Sequence, residues 1–522
     1  MASSNPSSEP KAQSNEIENV ERVLTADDNP KKDVTDLSRV DKEVQQYTAM
    51  GQVEIDEETD KRLRRMIDRR VLVFMIATYF LQAIDKGTLS FTSIMGIQED
   101  NNLVGQQYNW LTTCIYIAVL IVEYPTNWIL QRVPIAKYLG FNILAWGTVL
   151  ACHAATKNFV GLLVVRTLLG IFESCCQPAF VILSSMWYRR EEQAARVSYW
   201  YMMNGGQQIV GGLLAYCFSL LGNDKAIKSW QALFLAYGGI SVLYGIVLLI
   251  MMPDSPMRAK CFTEEDKHLM VERVRSNRTG LQNRKFRPYQ VKEALLDPQL
   301  WCYCLIQIFT TLPTSGLGAF ANIVITSLNF TVLETQLLAM VLGFYIIIVL
   351  MSSAWLVNKT GQNTLVMAGY LIFSFVGTIV LMTVENKNKA TQVGLLISYY
   401  LTLSFWSAQT LALSMVSRNI AGQTKKTVVV AATFISWAAG NAVGPQVFLK
   451  RDAPRYFIAF SIHLVCYTLM LITIFFLRWW LKRENRRKDK YLEAHPEARD
   501  PNMVHAFEDR TDRENWNFRY VY

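Results

Sequence analysis

The stretch Arg166-Thr167-Leu168-Leu169-Gly170-Ile171-Phe172-Glu173 lies in the middle of an apolar run, residues 159–183, that is long enough to cross a bilayer. It places a cation and an anion at bilayer depth, where charges are expensive and mark functional sites. Seven residues of helix rise roughly 10.5 Å and return to nearly the same azimuth, so both side chains project from one face. We therefore expect a site that binds an anion at one end and a proton at the other. The alternative is a salt bridge that only holds helices together.

The rest of the chain is organised as further apolar blocks of similar length. Of the 522 residues, 51% are apolar, and they occur in runs rather than in alternation, which is typical of a multi-pass membrane protein. The runs predict an all-α membrane protein with twelve transmembrane helices, in two six-helix bundles around a central cavity. We number these spans 1 to 12, at residues 71–96, 108–130, 137–156, 159–183, 197–221, 230–252, 299–325, 334–357, 364–384, 392–417, 427–449 and 456–481.

Loops and tails complete the predicted organisation. Residues 1–64 are expected to be a disordered cytosolic tail, 65–252 the N-terminal bundle, 253–298 a cytosolic linker with an amphipathic helix, 299–481 the C-terminal bundle and 482–522 a cytosolic tail. Counting Lys137 at the first position of span 3, the predicted inner loops carry 19 Lys and Arg residues against 8 in the outer loops, which places both termini in the cytosol. The net charge of +9 concentrates in these loops and indicates topology rather than nucleic-acid binding. The nine cysteines have no metal-ligand spacing, so neither a metal nor a cofactor is expected.

Strongly charged residues at depth are confined to the N-terminal half. Span 1 carries Asp85 and Lys86, span 2 carries Glu123, and span 4 carries Arg166 and Glu173, whereas spans 7 to 11 have no charged residue or histidine in their interiors. Asp85 and Lys86 are about 100° apart on their helix, so only one of them can point squarely at span 4. We favour Asp85 as a second proton site beside Glu173, and Lys86 as a substrate contact.

The charges suggest how an anion and a proton would be coupled. An arriving carboxylate or sulfonate would pair with Arg166, whose planar guanidinium suits such groups. Glu173 would then lose its compensation and take up a proton. The two binding events would be linked, and the linkage is reciprocal.

Neutral residues of the other spans are candidates for the remaining substrate contacts. For these residues helix packing, or a hydrogen bond between helices, is the competing interpretation: Asn204, Gln208, Trp406, Gln409, Trp437 and Asn441. Span 7 carries Pro313, Gly316 and Gly318, which predict a broken helix that acts as a gate or hinge; a passive kink is the alternative.

Several motifs together resemble the major facilitator superfamily, specifically the fungal allantoate permease-like branch of the anion:cation symporters. The resemblance covers residues 65–480 and rests on Asp85-Lys86-Gly87-Thr88-Leu89-Ser90, Glu123-Tyr124-Pro125-Thr126-Asn127, Arg166-x-x-Leu169-Gly170-x-x-Glu173, Trp187-Tyr188-Arg189-Arg190-Glu191-Glu192-Gln193, Asn419-x-x-Gly422-x-Thr424-Lys425-Lys426 and Gly440-Asn441-x-x-Gly444-Pro445. In the bacterial relatives, pairs matching Asp85-Lys86 and Arg166/Glu173 handle the proton and the substrate.

The resemblance implies a secondary transporter, not an enzyme, that imports a small organic anion with protons by alternating access across the plasma membrane, as a monomer. We expect an allantoate-like ureido acid or a small carboxylate. The alternatives are sulfur-containing anions (sulfonate, sulfate or cysteine) and nicotinate or other vitamin carboxylates. A drug or metabolite exporter and a nutrient sensor that does not transport are further alternatives. An ATP-driven pump is excluded, because the sequence has no G-x-x-x-x-G-K-[ST] phosphate loop.

Overall fold

The computed structural model describes residues 55–130, 132–189, 192, 196, 199–221, 227–259, 261–275, 287–496 and 511–522. Most of the predicted N-terminal tail lies outside these residues. The helix Glu57–Ile67 begins inside the predicted tail, and its N-cap Asp56 accepts a hydrogen bond from the Thr59 amide at 3.1 Å. Leu63 and Ile67 are fully buried, so this helix is anchored to the body of the protein by apolar contacts.

Helices occupy all twelve predicted spans within the described residues. Eight of them, spans 3, 4, 6, 7, 8, 9, 11 and 12, are long and apolar enough to cross a membrane by length and composition alone. The others are shorter, interrupted or richer in polar residues. The helices are Val73–Ser93, Gln107–Leu130, Ile135–Cys152, Phe159–Glu173 with Cys176–Trp187, Met203–Ser219, Ser229–Met251, Pro298–Ser327, Val332–Thr360, Asn363–Thr383, Lys389–Thr402 with Trp406–Asn419, Gln423–Val443 and Phe457–Ala494.

Shorter helices flank the spans. A π-helical turn, Asp68–Leu72, joins Glu57–Ile67 to span 1, and His153–Ala155 closes span 3 as a 3₁₀ turn. Glu264–Arg275 occupies the position of the predicted amphipathic helix, and Pro288–Leu295 leads into span 7.

The break expected in span 7 is found in span 4 instead; span 10 is also interrupted, by the 3₁₀ turn Leu403–Phe405. Phe159–Glu173 ends in the two-residue turn Ser174-Cys175, and the helix resumes as Cys176–Trp187. Pro178 explains this break, because it has no amide hydrogen for the carbonyl of Ser174 and its ring crowds that carbonyl. Span 7 runs through Pro313 without interruption from Pro298 to Ser327, so the broken helix expected there is not found. A single missing hydrogen bond is tolerated in so long a helix.

Span 7 instead packs closely against span 11 at Gly316. A Cβ atom on Gly316 would lie 2.8 Å from the carbonyl oxygen of Gly444, so only glycine permits this approach. Gly318 has open space around it, and a side chain there would meet nothing within 4 Å. Span 5 approaches span 8 of the other half in the same way: a Cβ atom on Gly212 would lie 2.6 Å from the carbonyl oxygen of Gln336. Glycine at position 212 therefore allows the close approach of spans 5 and 8.

Hydrogen bonds between the two halves close one end of the molecule, which we call the far end: the end at which spans 1 and 7 finish. The Tyr108 hydroxyl, at the start of span 2, donates to the carbonyl of Ala319 at 2.8 Å. Asn109 Nδ2 donates to the carbonyls of Pro445 and Phe448 at 2.6 and 2.8 Å. These side chains bond to backbone carbonyls across the boundary, so the far end is held shut by neutral groups.

The opposite end, which we call the termini end, carries two sets of ion pairs, one in each half. In the N-terminal half, Arg273 Nε lies 2.8 Å from Asp60 and its Nη2 lies 2.6 Å from Glu192. In the C-terminal half, Lys425 Nζ lies 2.9 Å from Glu293 and 2.8 Å from both Asp297 and Asp512. The first set joins segments outside the membrane to one another, and the second joins such segments to the beginning of the span-11 helix at Lys425.

Candidate functional site

A cavity lies at the boundary between the two halves, near the middle of the spans. Spans 1, 2 and 4 supply most of its wall, and span 11 supplies the side that belongs to the C-terminal half. The lining residues are Gln82, Lys86, Ile115, Tyr116, Val119, Glu123, Glu173, Ser174, Gln177, Phe434 and Trp437. The cavity therefore brings two carboxylates and one ammonium group to a surface that both halves share.

Glu173 is the most strongly buried acid of this wall. It is only 2% exposed, and it is the last residue of the first half of span 4. Neither oxygen of its carboxylate has a hydrogen-bond partner among the described residues; Gln82 Nε2 reaches only the backbone carbonyl of Glu173, at 3.4 Å. A buried carboxylate without partners is stable only when it is neutralised by a nearby cation or by a proton.

Lys86, rather than Asp85, shares the cavity with Glu173. Lys86 and Arg166 are both within electrostatic range of Glu173, but only Lys86 is among the lining residues of the cavity. Asp85 is fully buried and accepts a hydrogen bond from the indole nitrogen of Trp146 on span 3. Asp85 remains within electrostatic range of Glu173 and Arg166, but it faces the interior of the N-terminal bundle. Of the two neighbouring charges on span 1, it is thus the lysine that reaches the cavity wall.

Arg166 also lies behind the cavity wall, among buried residues of the N-terminal bundle. It is 1% exposed, and its Nε and Nη2 atoms have no hydrogen-bond partner among the described residues. Its guanidinium carbon lies 5.8 Å from the centre of the Phe234 ring on span 6. Glu173 and Asp85 both act on it electrostatically, although neither forms an ion pair with it within 4.0 Å in the described part of the chain. Arg166 and Glu173 thus belong to one charge cluster without forming a closed salt bridge.

The neutral candidates divide between the cavity and helix contacts. Trp437 lines the cavity and packs edge-to-face against Tyr116, with ring centres 5.7 Å apart. Asn441 Nδ2 donates to the carbonyl of Trp437 within its own helix at 2.8 Å, and Asn204 Nδ2 donates to the Tyr79 hydroxyl at 2.9 Å. These two side chains are occupied by contacts within the protein.

The other neutral candidates lie away from the cavity wall. Gln208 packs toward Gly343 of span 8, whereas its neighbour Gln207 approaches Gly87 of span 1. Trp406 is half-buried and Gln409 is buried, both on span 10. Of the predicted neutral contacts, the structure brings only Trp437 to the cavity wall.

Three residues in or behind the cavity wall were not among the predicted site residues: Glu123, which was noted only as a charge at depth, and Trp146 and His153. Glu123 lines the cavity, and its own Asn127, one turn further on, donates to its backbone carbonyl at 2.9 Å. Trp146 and His153 of span 3 are separated by seven residues, the same spacing as Arg166 and Glu173. Such a repeat of polar groups on an otherwise apolar helix face could have indicated a second polar face.

Comparison with known proteins identifies the class. The family model described as Major Facilitator Superfamily matches residues 75–445. A solved D-xylose–proton symporter shares the fold with a TM-score of 0.57 and 14% identity, over 77% of this chain and 96% of that chain. A bacterial homologue of the human lysosomal transporter Spinster gives a TM-score of 0.55 and 16% identity, over 78% and 94% of the two chains. The chain belongs to the major facilitator superfamily and is a multi-pass membrane transporter, not an enzyme; the predicted fold class is confirmed.

Within that class, the chain is similar to fungal permeases. The allantoate permease of Saccharomyces cerevisiae is 31% identical over 516 residues, which cover 97% of this chain and 95% of the permease. The thiamine pathway transporter THI73 of the same yeast is 33% identical over 466 residues, covering 89% and 87% of the two chains. An uncharacterized transporter of Schizosaccharomyces pombe is 33% identical over 472 residues, covering 90% and 91%.

Proposed function

We propose that the protein imports a small organic anion together with protons. The observation that carries this proposal is that one cavity wall contains both Lys86 and a buried Glu173 whose carboxylate has no hydrogen-bond partner among the described residues. A cation at the wall attracts an anionic substrate. When the anionic substrate pairs with Lys86, the positive charge of Lys86 no longer offsets the negative charge of Glu173. Glu173 then binds a proton. The proposal therefore assigns the first contact with the substrate to Lys86, while Arg166 and Asp85 supply the field behind the wall.

The expected substrate is an allantoate-like ureido acid or a small carboxylate. Tyr116 and Trp437 provide flat surfaces in the cavity, and Gln82 and Gln177 provide amides that suit an amide-rich anion. The full-length similarity to the yeast allantoate permease supports the same class. Sulfur-containing anions and vitamin carboxylates satisfy the same charge requirement and are the alternatives that a substrate panel must include.

In transport by alternating access, the cavity opens to one side of the membrane at a time, so the closed far end must face one particular side. We propose that the termini end faces the cytosol, in the plasma membrane, so that the hydrogen bonds of Tyr108 and Asn109 close the outside. The break in span 4 lies immediately after Glu173, and we propose that the half-helix Cys176–Trp187 tilts at that turn during opening and closing. Pro313, Gly316 and Gly318 remain candidates for a hinge in span 7.

The test is uptake of radiolabelled anions by yeast cells that lack their own anion permeases, at external pH 5 and pH 7. One proton per monoanion is electrically neutral and responds only to the pH gradient, about 1.4 kcal/mol per unit. A second proton would add roughly 2.3 kcal/mol per 100 mV of membrane potential. Accumulation at pH 5 that a protonophore abolishes would support the proposal. Uptake that is equal at both pH values and insensitive to the protonophore would contradict it.

A further inference from the structure

A polar cluster inside the N-terminal bundle surrounds the two charges that do not reach the cavity. Span 3 contributes Trp146 and, in the 3₁₀ turn that closes it, His153; both are fully buried. Span 3 packs against spans 4 and 6, so these side chains lie among the elements that carry Arg166 and Phe234. The cluster is separate from the cavity wall, which contains none of these four residues.

Trp146 of span 3 contacts one of the two charges, Asp85. Its indole nitrogen donates a hydrogen bond to Oδ2 of Asp85. Indole is a neutral donor, so it fixes the orientation of the carboxylate without cancelling its negative charge. A lysine or arginine at the same place would pair with Asp85 and remove that charge from the field at Glu173.

His153 offers a hydrogen-bond acceptor, whereas Trp146 offers a donor. Its Nδ1 lies 3.1 and 3.2 Å from the carbonyl oxygens of Val149 and Leu150. Carbonyl oxygens only accept hydrogen bonds, so Nδ1 carries the hydrogen and Nε2 is left as an acceptor. Nε2 is buried and has no partner among the described residues, and the same holds for the Nε and Nη2 donors of Arg166.

His153 and Arg166 both lie next to the aromatic ring of Phe234. His153 stacks on Phe234 with ring centres 4.8 Å apart and an angle of 10°, and the Arg166 guanidinium carbon is 5.8 Å from the centre of the same ring. The two side chains are also within electrostatic range of each other. No direct hydrogen bond joins them, and a buried donor and a buried acceptor that lie near each other without bonding are commonly bridged by an enclosed water molecule.

We propose that His153 is a positioning residue for Arg166: through one enclosed water molecule it accepts a hydrogen bond from the guanidinium, and it holds Arg166 in place without neutralising it. Trp146 does the same for Asp85. Span 3 thereby keeps both buried charges oriented and uncancelled, so that both act on Glu173 and on an anion in the cavity. The effect on transport rests on the proposed function; the hydrogen bond itself does not.

The hydrogen bond is tested by a double-mutant cycle on the purified protein in detergent. The apparent Tm is measured for the parent, His153→Phe, Arg166→Met and the double variant. Phenylalanine keeps the stack on Phe234 and removes the acceptor. We expect the double variant to lose at least about 2 °C less than the sum of the two single variants. Additive losses would overturn the proposal. If His153→Phe fails to fold, His153→Leu replaces it in the same cycle.

The consequence for transport is tested by the KM and Vmax of anion uptake. For His153→Phe we expect KM to rise about tenfold, which corresponds to about 1.4 kcal/mol, with Vmax retained. His153→Gln, which restores an acceptor, should return KM most of the way toward the parent value. An unchanged KM in His153→Phe, or no difference between the Phe and Gln variants, would overturn the positioning role.

His463 of span 12 is the matched control. It is a fully buried histidine whose ring nitrogens both lack partners among the described residues, and its neighbours Phe448, Phe460 and Tyr467 are uncharged. His463→Phe should change neither KM nor the Tm effect of Arg166→Met. If the parent protein carries none of the anions tested, the proposed function fails, while the thermal cycle still decides whether His153 holds Arg166.

Discussion

Two groups of buried ions, one in each half of the molecule, differ in how many of their charged atoms have partners. In the C-terminal half, Lys425 has a fully buried side chain and contacts three carboxylates, those of Glu293, Asp297 and Asp512, at 2.8 to 2.9 Å. In the N-terminal half, both oxygens of Glu173 and two nitrogens of Arg166 lack partners among the described residues. A buried ion with all its partners stabilises a structure, whereas one without them is kept for a ligand or a proton. We therefore assign structure to the Lys425 cluster, and likewise to Arg273 of the N-terminal half, which is buried and paired with Asp60 and Glu192. We assign transport to Glu173 and Arg166.

The largest expected effect is on stability, in the C-terminal half. Lys425→Met would remove the cation that Glu293 and the two buried carboxylates of Asp297 and Asp512 share, leaving Arg513, 3.4 Å from Asp297, as a remaining cation beside them. Removing one partner of a buried ion pair costs about 3–5 kcal/mol. We expect the apparent Tm of the purified protein to fall markedly. Lys387→Met is the matched control, because Lys387 is exposed and pairs only with Glu385 at 2.9 Å; an exposed pair of this kind contributes at most about 1 kcal/mol. Equal Tm values for the two variants would remove the contrast between the halves.

A smaller effect, on affinity and not on stability, is expected in the N-terminal half. Arg166→Lys keeps the positive charge but loses the planar fork and the contact with the Phe234 ring. We expect KM for the anion to rise roughly 30-fold, about 2 kcal/mol, while the apparent Tm stays close to that of the parent. Uptake kinetics and thermal unfolding on the same preparation measure both quantities. A lowered Tm with unchanged KM would show that Arg166 is structural, like Lys425.

The smallest effect is expected where the C-terminal half reaches the cavity. Trp437→Phe keeps an aromatic surface next to Tyr116 and removes the larger indole ring. We expect KM to rise about threefold, which corresponds to roughly 0.7 kcal/mol, with unchanged dependence on external pH. Trp479→Phe, at an exposed position of span 12, is the control and should have no effect. A change in the pH dependence of Trp437→Phe would place part of the proton coupling in the C-terminal half.

The sequence was sufficient for the twelve spans, because apolar runs of about 20 residues are a direct requirement of the bilayer. It also identified the N-terminal half as the charged one. It did not reveal which of Asp85 and Lys86 faces the cavity. Neighbouring residues of a helix are about 100° apart, but this angle does not tell how span 1 is rotated about its own axis. That rotation is set by contacts with Trp146 on span 3, which are distant in sequence.

The position of the helix break illustrates the same limit. Pro313 and Pro178 both remove one hydrogen bond from a helix, yet only span 4 is interrupted. Span 7 is braced by its close contact with span 11 at Gly316, and this packing is not visible in the local sequence. The C-terminal residues were likewise expected to be a tail, but residues 511–522 pack on the C-terminal half, where the amide of Val521 donates to Asn419 at 2.8 Å.

The measurement that tests the central claim most directly compares uphill uptake with exchange in Glu173→Gln. Glutamine preserves the shape of the side chain but cannot bind and release a proton. We predict that this variant no longer accumulates the anion against its gradient. It should still exchange internal for external anion across the membrane of proteoliposomes that contain it. Glu123→Gln, which alters the other carboxylate of the cavity wall, is measured in parallel to show whether the effect belongs to Glu173 alone. Intact uphill uptake by Glu173→Gln would contradict the account.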